Sequence, residues 1–185
     1  MKKLLLASFL LALNAHSAPQ SIAEYTTSVI RRLPVYHEDK GSSDKDAQLD
    51  AIASAVAKVS RKAPLPPRQW AALLLTIGFH ESTFSLRIHA GNCKPKECDR
   101  GKARGPWQTH RNMDNAAMWD KLHGIVNVDH QVWAADRLLR RVARTCSNQA
   151  GINVPGILTA YAGRRCFQDW PGLNERLNTF SRMNP

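Results

Sequence analysis

The sequence is poor in acidic residues, and most of it lacks long apolar runs. Its 185 residues carry 15 Asp and Glu against 26 Lys and Arg, a net charge of +11. After residue 18, no stretch is long and apolar enough to cross a bilayer, so we expect no stable membrane span. The basic charge favours an anionic partner such as nucleic acid, lipid or cell wall, but charge alone does not choose among them.

Several classes of function lack their sequence signals. The chain has no helix-turn-helix pattern, no zinc finger and no aromatic stacking motif, so we expect no nucleic-acid partner. His80-Glu81 is not followed by a second histidine at metalloprotease spacing. His89 lies near Cys93 and Cys98, but no second ligand pair accompanies them. We therefore predict neither a metal nor another cofactor.

The N-terminus has the pattern of a secretory signal. Lys2 and Lys3 precede an apolar run from Leu4 to Leu13, and small residues follow as far as Ala18. We predict a signal peptide over residues 1–18, although a cut one residue earlier competes. The protein is then expected to be exported to the periplasm or outside the cell.

The sequence has only four cysteines, and export would allow them to pair. Cys93 and Cys98 are close enough to close a tight ring, which leaves Cys146 and Cys166 as a second pair. We prefer this pairing, but the sequence permits three connectivities and does not choose among them.

The apolar spacing predicts an all-α fold, or a mainly α fold with a small β-hairpin, because no alternating segment is long enough for a larger sheet. Residues 19–46 contain a short helical pattern and a polar Gly/Ser-rich segment, so we predict an N-terminal arm or linker there. Residues 47–185 are predicted to form one domain. Helices are predicted over 47–62, 66–83, 115–122, 129–146, 155–162 and 172–183. The second is apolar nearly all round, which indicates a buried central helix.

Glu81 is the most informative residue of this central helix. It stands at the C-terminal end, flanked by Phe79 and Phe84. Desolvation there would favour the neutral acid, the form that can protonate a leaving oxygen. The simpler interpretation is a glutamate that pairs with an arginine.

Three short motifs occur in order along the chain. They are Glu81-Ser82, then Gly105-Pro106-Trp107-Gln108, then Ala160-Tyr161-Ala162-Gly163. Together they resemble the soluble lytic transglycosylase family of the lysozyme-like superfamily, which has a helix-ending Glu-Ser, a G-x-x-Q turn and an A-Y-N-x-G segment. The resemblance covers about residues 66–165 and implies a lysozyme-like catalytic domain. It departs from the family at Pro106-Trp107, where the family has two aliphatic residues, and after Tyr161, where the asparagine is missing.

The resemblance implies a role for each matching residue. Glu81 matches the single acid that protonates the β-1,4 bond between N-acetylmuramic acid and N-acetylglucosamine, and then acts as the base that yields a 1,6-anhydro end. Ser82 matches a residue that orients the acid or the substrate, with helix capping as its alternative. Gln108 matches the polar floor of the cleft, and Trp107 beside it either stacks on a sugar or packs in the core. Tyr161 matches the tyrosine that hydrogen-bonds the acid. The implied partner is the glycan strand of peptidoglycan, and we expect a monomer.

Two other functions stay open. A muramidase that hydrolyses the same bond would need a second carboxylate, and Glu97 and Asp99 lie 16 and 18 residues after Glu81. Each has a basic neighbour, so a surface ion pair explains each of them equally well. The third function is a basic secreted module that binds wall glycan without cleaving it, which needs no acid at position 81.

Overall fold

The computed structural model describes residues 20–35, 37–94, 96–111, 116–148, 151–166 and 168–184. The predicted signal peptide, residues 1–18, lies outside these ranges. Within them the chain forms eight helical segments: α1 (Ile22–Ile30), α2 (Ser43–Ser60), α3 (Pro67–Ser82), α4 (Leu86–His89), α5 (Cys98–Gly101), α6 (Val128–Thr145), α7 (Val154–Tyr161) and α8 (Pro171–Met183). Of these, α5 is a single turn whose backbone is left-handed at residues 98–100. The prediction of a mainly helical fold is confirmed.

The strands in the described ranges form two small antiparallel hairpins. Strand β1 (Ala103–Arg104) pairs with β2 (Thr109–His110), and β3 (Ser147–Asn148) pairs with β4 (Gly151–Ile152). The first hairpin closes through the four residues of the second motif, 105–108. The segment predicted as a helix over 115–122 is a 3-10 helix, Ala116–Lys121; residue 115 lies outside the described part of the chain.

Helix α3 is the buried centre of the fold, as its apolar sequence predicts. Pro67 lies in its first turn, where the missing N–H needs no partner. Every residue from Trp70 to Gly78 is buried. Helices α1, α2, α6, α7 and α8 all pack against it. The C-terminal turn of α3, which carries Glu81, is thus held by most of the molecule.

The structure differs from the expected N-terminal arm. The region predicted as an arm or linker, 19–46, contains α1, whose residues Tyr25, Val29 and Ile30 are buried in the same core as α3. Within the predicted polar linker, Asp39 and Lys45 are buried and paired, with Lys45 Nζ 3.3 Å from Asp39 Oδ2. Lys45 also donates to the carbonyl of Phe84. Two charged residues of this polar segment, Asp39 and Lys45, thus form a buried ion pair. The sequence alone does not distinguish such a pair from the charges of a solvated loop.

Helix α6 has one apolar and one basic face. Val132, Ala135 and Leu139 are buried, whereas the arginines at 137, 141 and 144 are exposed. Arg140 departs from this pattern, because it bonds Asp136 at 2.7 Å and the backbone carbonyls of residues 59 and 62. Of the helices in the described ranges, none combines the length and apolar character needed to cross a bilayer.

Both preferred cysteine pairs are disulfide-bonded. The Cα atoms of Cys93 and Cys98 lie 6.0 Å apart, and those of Cys146 and Cys166 lie 5.4 Å apart. The first bond closes the loop before β1, and the second ties the end of α6 to the segment after α7. Two disulfides fit a protein made for an oxidising compartment.

Candidate active site

Glu81 lies on the last turn of α3 and is bound by an arginine of α8. Arg176 Nη2 donates to Glu81 Oε1 at 2.8 Å, and the two side chains are 11% and 22% exposed for Arg176 and Glu81. The guanidinium also lies over the ring of Trp170, 5.5 Å from its centroid. This contact is the arginine pairing that the sequence left open beside the partly desolvated acid suggested by the flanking aromatics.

The two phenylalanines that flank Glu81 in sequence pack against other rings. Phe84 is 1% exposed and packs edge-on against Trp107, with ring centroids 6.0 Å apart. Phe79 contacts the ring of His80. The helix-end environment of Glu81 is therefore polar, and the simpler interpretation, a glutamate paired with an arginine, describes its contacts.

Two buried donors beside Glu81 lack acceptors. Within the described residues, Arg176 Nη1 and Trp170 Nε1 are buried and have no hydrogen-bond partner. A buried donor without an acceptor costs about 1–3 kcal/mol, so such groups usually meet water or a ligand. Neither residue was predicted from the sequence. Both lie beyond the last motif, and only the packing of α8 brings them to Glu81.

Ser82 closes the end of helix α3. Its hydroxyl donates to the carbonyl of Gly78 at 3.0 Å and accepts from the N–H of Phe84 at 3.1 Å, and the residue is 5% exposed. These bonds hold a sharp reversal in which Thr83 and Phe84 both have φ of 51°. Such backbone is strained for a β-branched residue. The expected contact of Ser82 with substrate is replaced by this capping role, since its hydroxyl is buried and engaged.

Trp107 is part of the core and is not available to stack on a sugar. It is 1% exposed, and its Nε1 donates to the carbonyl of Leu74 at 2.8 Å. Sequence reasoning could not separate the two roles, because a Trp in a short turn suits either one. The predicted substrate-stacking role is therefore corrected to packing.

Gln108 ends the same turn and is half-buried. Its backbone has φ of 48°, and its Nε2 donates to the carbonyl of Gly105 at 3.0 Å. The same nitrogen lies 3.5 Å from Cys98 Sγ. Gln108 thus joins the hairpin to the first disulfide loop. Substrate binding by its side-chain oxygen stays a prediction.

Tyr161 connects the third motif to the second. Its hydroxyl donates to the carbonyl of Trp107 at 2.9 Å, not to the carboxylate of Glu81 as the resemblance implies. Burial, and secondarily the charge of Glu81, raise the pKa of Tyr161 well above its usual value. The hydroxyl therefore keeps its proton and stays a donor. This bond joins the third motif to the second, and Phe84, next to the first motif, packs against the same Trp107.

The two candidate second carboxylates have other partners. Glu97 accepts from both terminal nitrogens of Arg87 and from the N–H of Lys94, and these bonds lower its pKa to about 2. Asp99 is exposed and lies 3.6 Å from His110 Nε2. The contacts of Glu97 stabilise the loop closed by the first disulfide.

No protein-family model, curated protein or solved structure was found to match the chain. Function has to be argued from the chemistry of the site itself, because a fold class does not determine an activity.

Proposed function

We propose that this protein is an exported peptidoglycan lytic transglycosylase of lysozyme-like fold, with Glu81 as acid and then base. The observation that carries the proposal is the convergence of the three motifs. Ser82 of the first motif bonds the N–H of Phe84, whose ring packs against Trp107 of the second motif. Tyr161 of the third motif bonds the carbonyl of the same Trp107. These segments are distant in sequence and meet at the C-terminal end of the central helix.

The donors around Glu81 support a substrate rich in oxygen acceptors. Arg176 Nη1 and Trp170 Nε1 are buried without acceptors in the described residues. A glycan supplies hydroxyl, ether and acetamide oxygens that could satisfy both. Strained backbone at Thr83, two residues after Glu81, also fits a functional site, where such strain is concentrated.

In the proposed reaction, Glu81 donates a proton to the β-1,4 glycosidic oxygen. It then takes the proton of the muramoyl 6-hydroxyl, whose oxygen attacks the anomeric carbon and closes the 1,6-anhydro ring. No water is consumed. Because the acid must carry a proton before it can donate one, the proposal requires the glycan to displace the Arg176 guanidinium from Glu81 and the carboxyl of Glu81 to take up a proton from solvent before the bond is cleaved.

The hydrolytic alternative has weaker support. A muramidase would need a second carboxylate free to position water or stabilise the transition state. Glu97 is held by Arg87 and by the N–H of Lys94. Asp99 lies on an exposed turn beside His110. Export to the periplasm or the cell exterior belongs to the same proposal, supported by the N-terminal pattern and the two disulfides.

Release of soluble fragments from labelled peptidoglycan tests the proposal. We expect the mature protein to release fragments and Glu81→Gln to lose at least about a hundredfold in rate, the lower range for loss of general acid–base catalysis. Glu175→Gln is the matched control, because it makes the same change at an exposed position of α8. A Glu81→Gln protein that cleaves as fast as Glu175→Gln would overturn the proposal.

A further inference from the structure

A basic cavity lies beside the first disulfide loop. Its volume is about 510 Å³, within the range of small-ligand sites. It is lined by residues of the disulfide loop, of α5, of β1 and of the segment before α6, including Cys93, Lys94, Arg100, Ala103, Arg104 and His123. Glu81 is not among the lining residues, so the cavity is a second candidate site.

The cavity wall carries cations and no acidic group. Among the described residues that line it, Lys94, Arg100 and Arg104 are basic and none is Asp or Glu. Arg104 is fixed by two contacts of its Nη1, 2.7 Å to the carbonyl of Trp119 and 3.2 Å to Asp120 Oδ1. It also stacks over the Trp119 ring at 4.4 Å. Because Asp120 already offsets the charge of Arg104, the positive charge of the cavity comes mainly from Lys94 and Arg100.

The acidic residues of the same loop are directed to other partners. Glu97 binds Arg87, and Asp99 lies next to His110. Neither lines the cavity. The positive charge of Lys94 and Arg100 therefore faces the cavity without a carboxylate in its wall.

His123 adds a buried polar atom to this wall. Its Nδ1 is buried and has no hydrogen-bond partner in the described part of the chain. The ring lies so close to Gly91 that a Cβ there would be 3.0 Å from it. The Nδ1 atom is thus enclosed beside Gly91, and His123 contributes the shape of the cavity wall.

The turn that carries Arg100 has strained backbone. Cys98, Asp99 and Arg100 have φ of 49°, 48° and 56°, followed by Gly101 at 82°. Left-handed backbone costs roughly 1–2 kcal/mol for each ordinary residue. The Cys93–Cys98 disulfide ends at the first residue of this turn and so anchors one end of the backbone that places Arg100 in the cavity wall.

We propose that this cavity binds the carboxylates of peptidoglycan stem peptides. Lys94 and Arg100 supply the positive charge, and Arg104 and His123 complete the wall. The inference rests on the proposed function for the source of the ligand. It adds a specificity: glycan strands that keep their acidic peptides bind more tightly than bare glycan.

Titration calorimetry of the wild-type protein with a synthetic acidic stem peptide tests the proposal, because a peptide without glycan has no glycosidic bond for the protein to cleave. The test variant is the pair Lys94→Gln and Arg100→Gln. The control is the pair Lys96→Gln and Lys102→Gln, which removes the same charge from exposed positions outside the cavity lining. We expect the test pair to weaken binding about tenfold or more and the control pair less than about threefold.

Three results would overturn the proposal: an equal loss of peptide affinity in the two double variants, equal binding of a peptide with amidated carboxylates, and equally tight binding of inorganic phosphate.

The proposed function can fail independently of this cavity. If the wild-type protein releases no fragments from peptidoglycan yet binds the acidic peptide selectively through Lys94 and Arg100, the proposed carboxylate site is supported and the proposed enzymatic function is refuted. If it cleaves peptidoglycan but shows no selective peptide binding, the cavity proposal fails alone.

Discussion

Arg176 of α8 donates a hydrogen bond of 2.8 Å to Glu81 of α3, across 95 positions of sequence. The contact fixes the carboxylate that the motifs single out and ties the last helix to the central one. Its energetic importance is measurable, because both side chains are largely shielded from water.

A double-mutant cycle on Glu81→Gln and Arg176→Gln measures this coupling. We expect a coupling free energy of about 1–2 kcal/mol from urea unfolding, because charge-assisted hydrogen bonds in partly buried sites contribute that much. The control cycle pairs Arg31→Gln with Asp50→Gln, whose ion pair is exposed to solvent and should therefore couple more weakly than the Glu81–Arg176 pair. Equal coupling in the two cycles would contradict the structural account of the Glu81 contact.

Gly78→Ala tests the packing beneath Glu81. An added Cβ would lie 2.5 Å from Phe84 Cε1 and 3.0 Å from Trp107 Nε1, and both rings are fixed in the core. Overpacking costs about 1–3 kcal/mol, whereas alanine gains up to about 1 kcal/mol in helix propensity, so we expect a net loss of about 1–2 kcal/mol. Adding Phe84→Leu should cost less in the Gly78→Ala background than in the wild type. An unchanged or raised unfolding free energy for Gly78→Ala would refute the packing.

Tyr161→Phe separates stability from activity. The change leaves the buried carbonyl of Trp107 without its donor, which should cost about 1–2 kcal/mol in unfolding free energy. Tyr25→Phe is the matched control, because Tyr25 donates to the carbonyl of Met183 away from Glu81. We expect both variants to lose stability and only Tyr161→Phe to lose cleavage rate. Similar cleavage rates for the two variants would show that the Tyr161 hydroxyl does not contribute to cleavage.

His89 makes the fold sensitive to acid. Its Nδ1 lies 2.7 Å from the amide nitrogen of Gln48, and burial, with smaller effects of Lys45 and His123, lowers its pKa to about 4. An unfolded histidine takes up a proton near pH 6.5, whereas the folded one stays neutral until about pH 4. The unfolding free energy therefore decreases as the pH is lowered from about 6.5 to 4. We expect this group to contribute a loss of about 3 kcal/mol between those values.

The measurement is the unfolding free energy against pH for the wild type and for His89→Gln. The unfolding free energy of the variant should change less steeply with pH between about pH 6.5 and 4 than that of the wild type, whatever its absolute stability. An identical slope would mean that His89 titrates normally in the folded protein.

The periodic elements could be predicted from sequence because their burial follows from spacing alone. Helix α3 is apolar nearly all round, and α6 alternates apolar and basic faces; the helical predictions over 66–83 and 129–146 lie within two residues of both. The short separation of Cys93 and Cys98 made their pairing the preferred one of three connectivities, and the structure has this pair.

The surroundings of Glu81 could not be predicted, because they depend on contacts between distant segments. Arg176 and Trp170 carry no motif, and nothing local distinguishes them from surface residues. The motif itself placed Trp107 and Ser82 near the acid but could not say that their polar groups bond Leu74 and Gly78. Local sequence thus located the acid and its helix, whereas tertiary packing determined what surrounds it.

The most direct test of the central claim is mass spectrometry of purified peptidoglycan digested with the mature protein. The account predicts muropeptides one water lighter than hydrated ones, the mark of 1,6-anhydro ends formed without a second carboxylate, and no such products from Glu81→Gln. Hydrated reducing ends would contradict the transglycosylase mechanism and favour a hydrolase. Complete absence of products from the folded wild-type protein would contradict the enzyme and leave a wall-binding module.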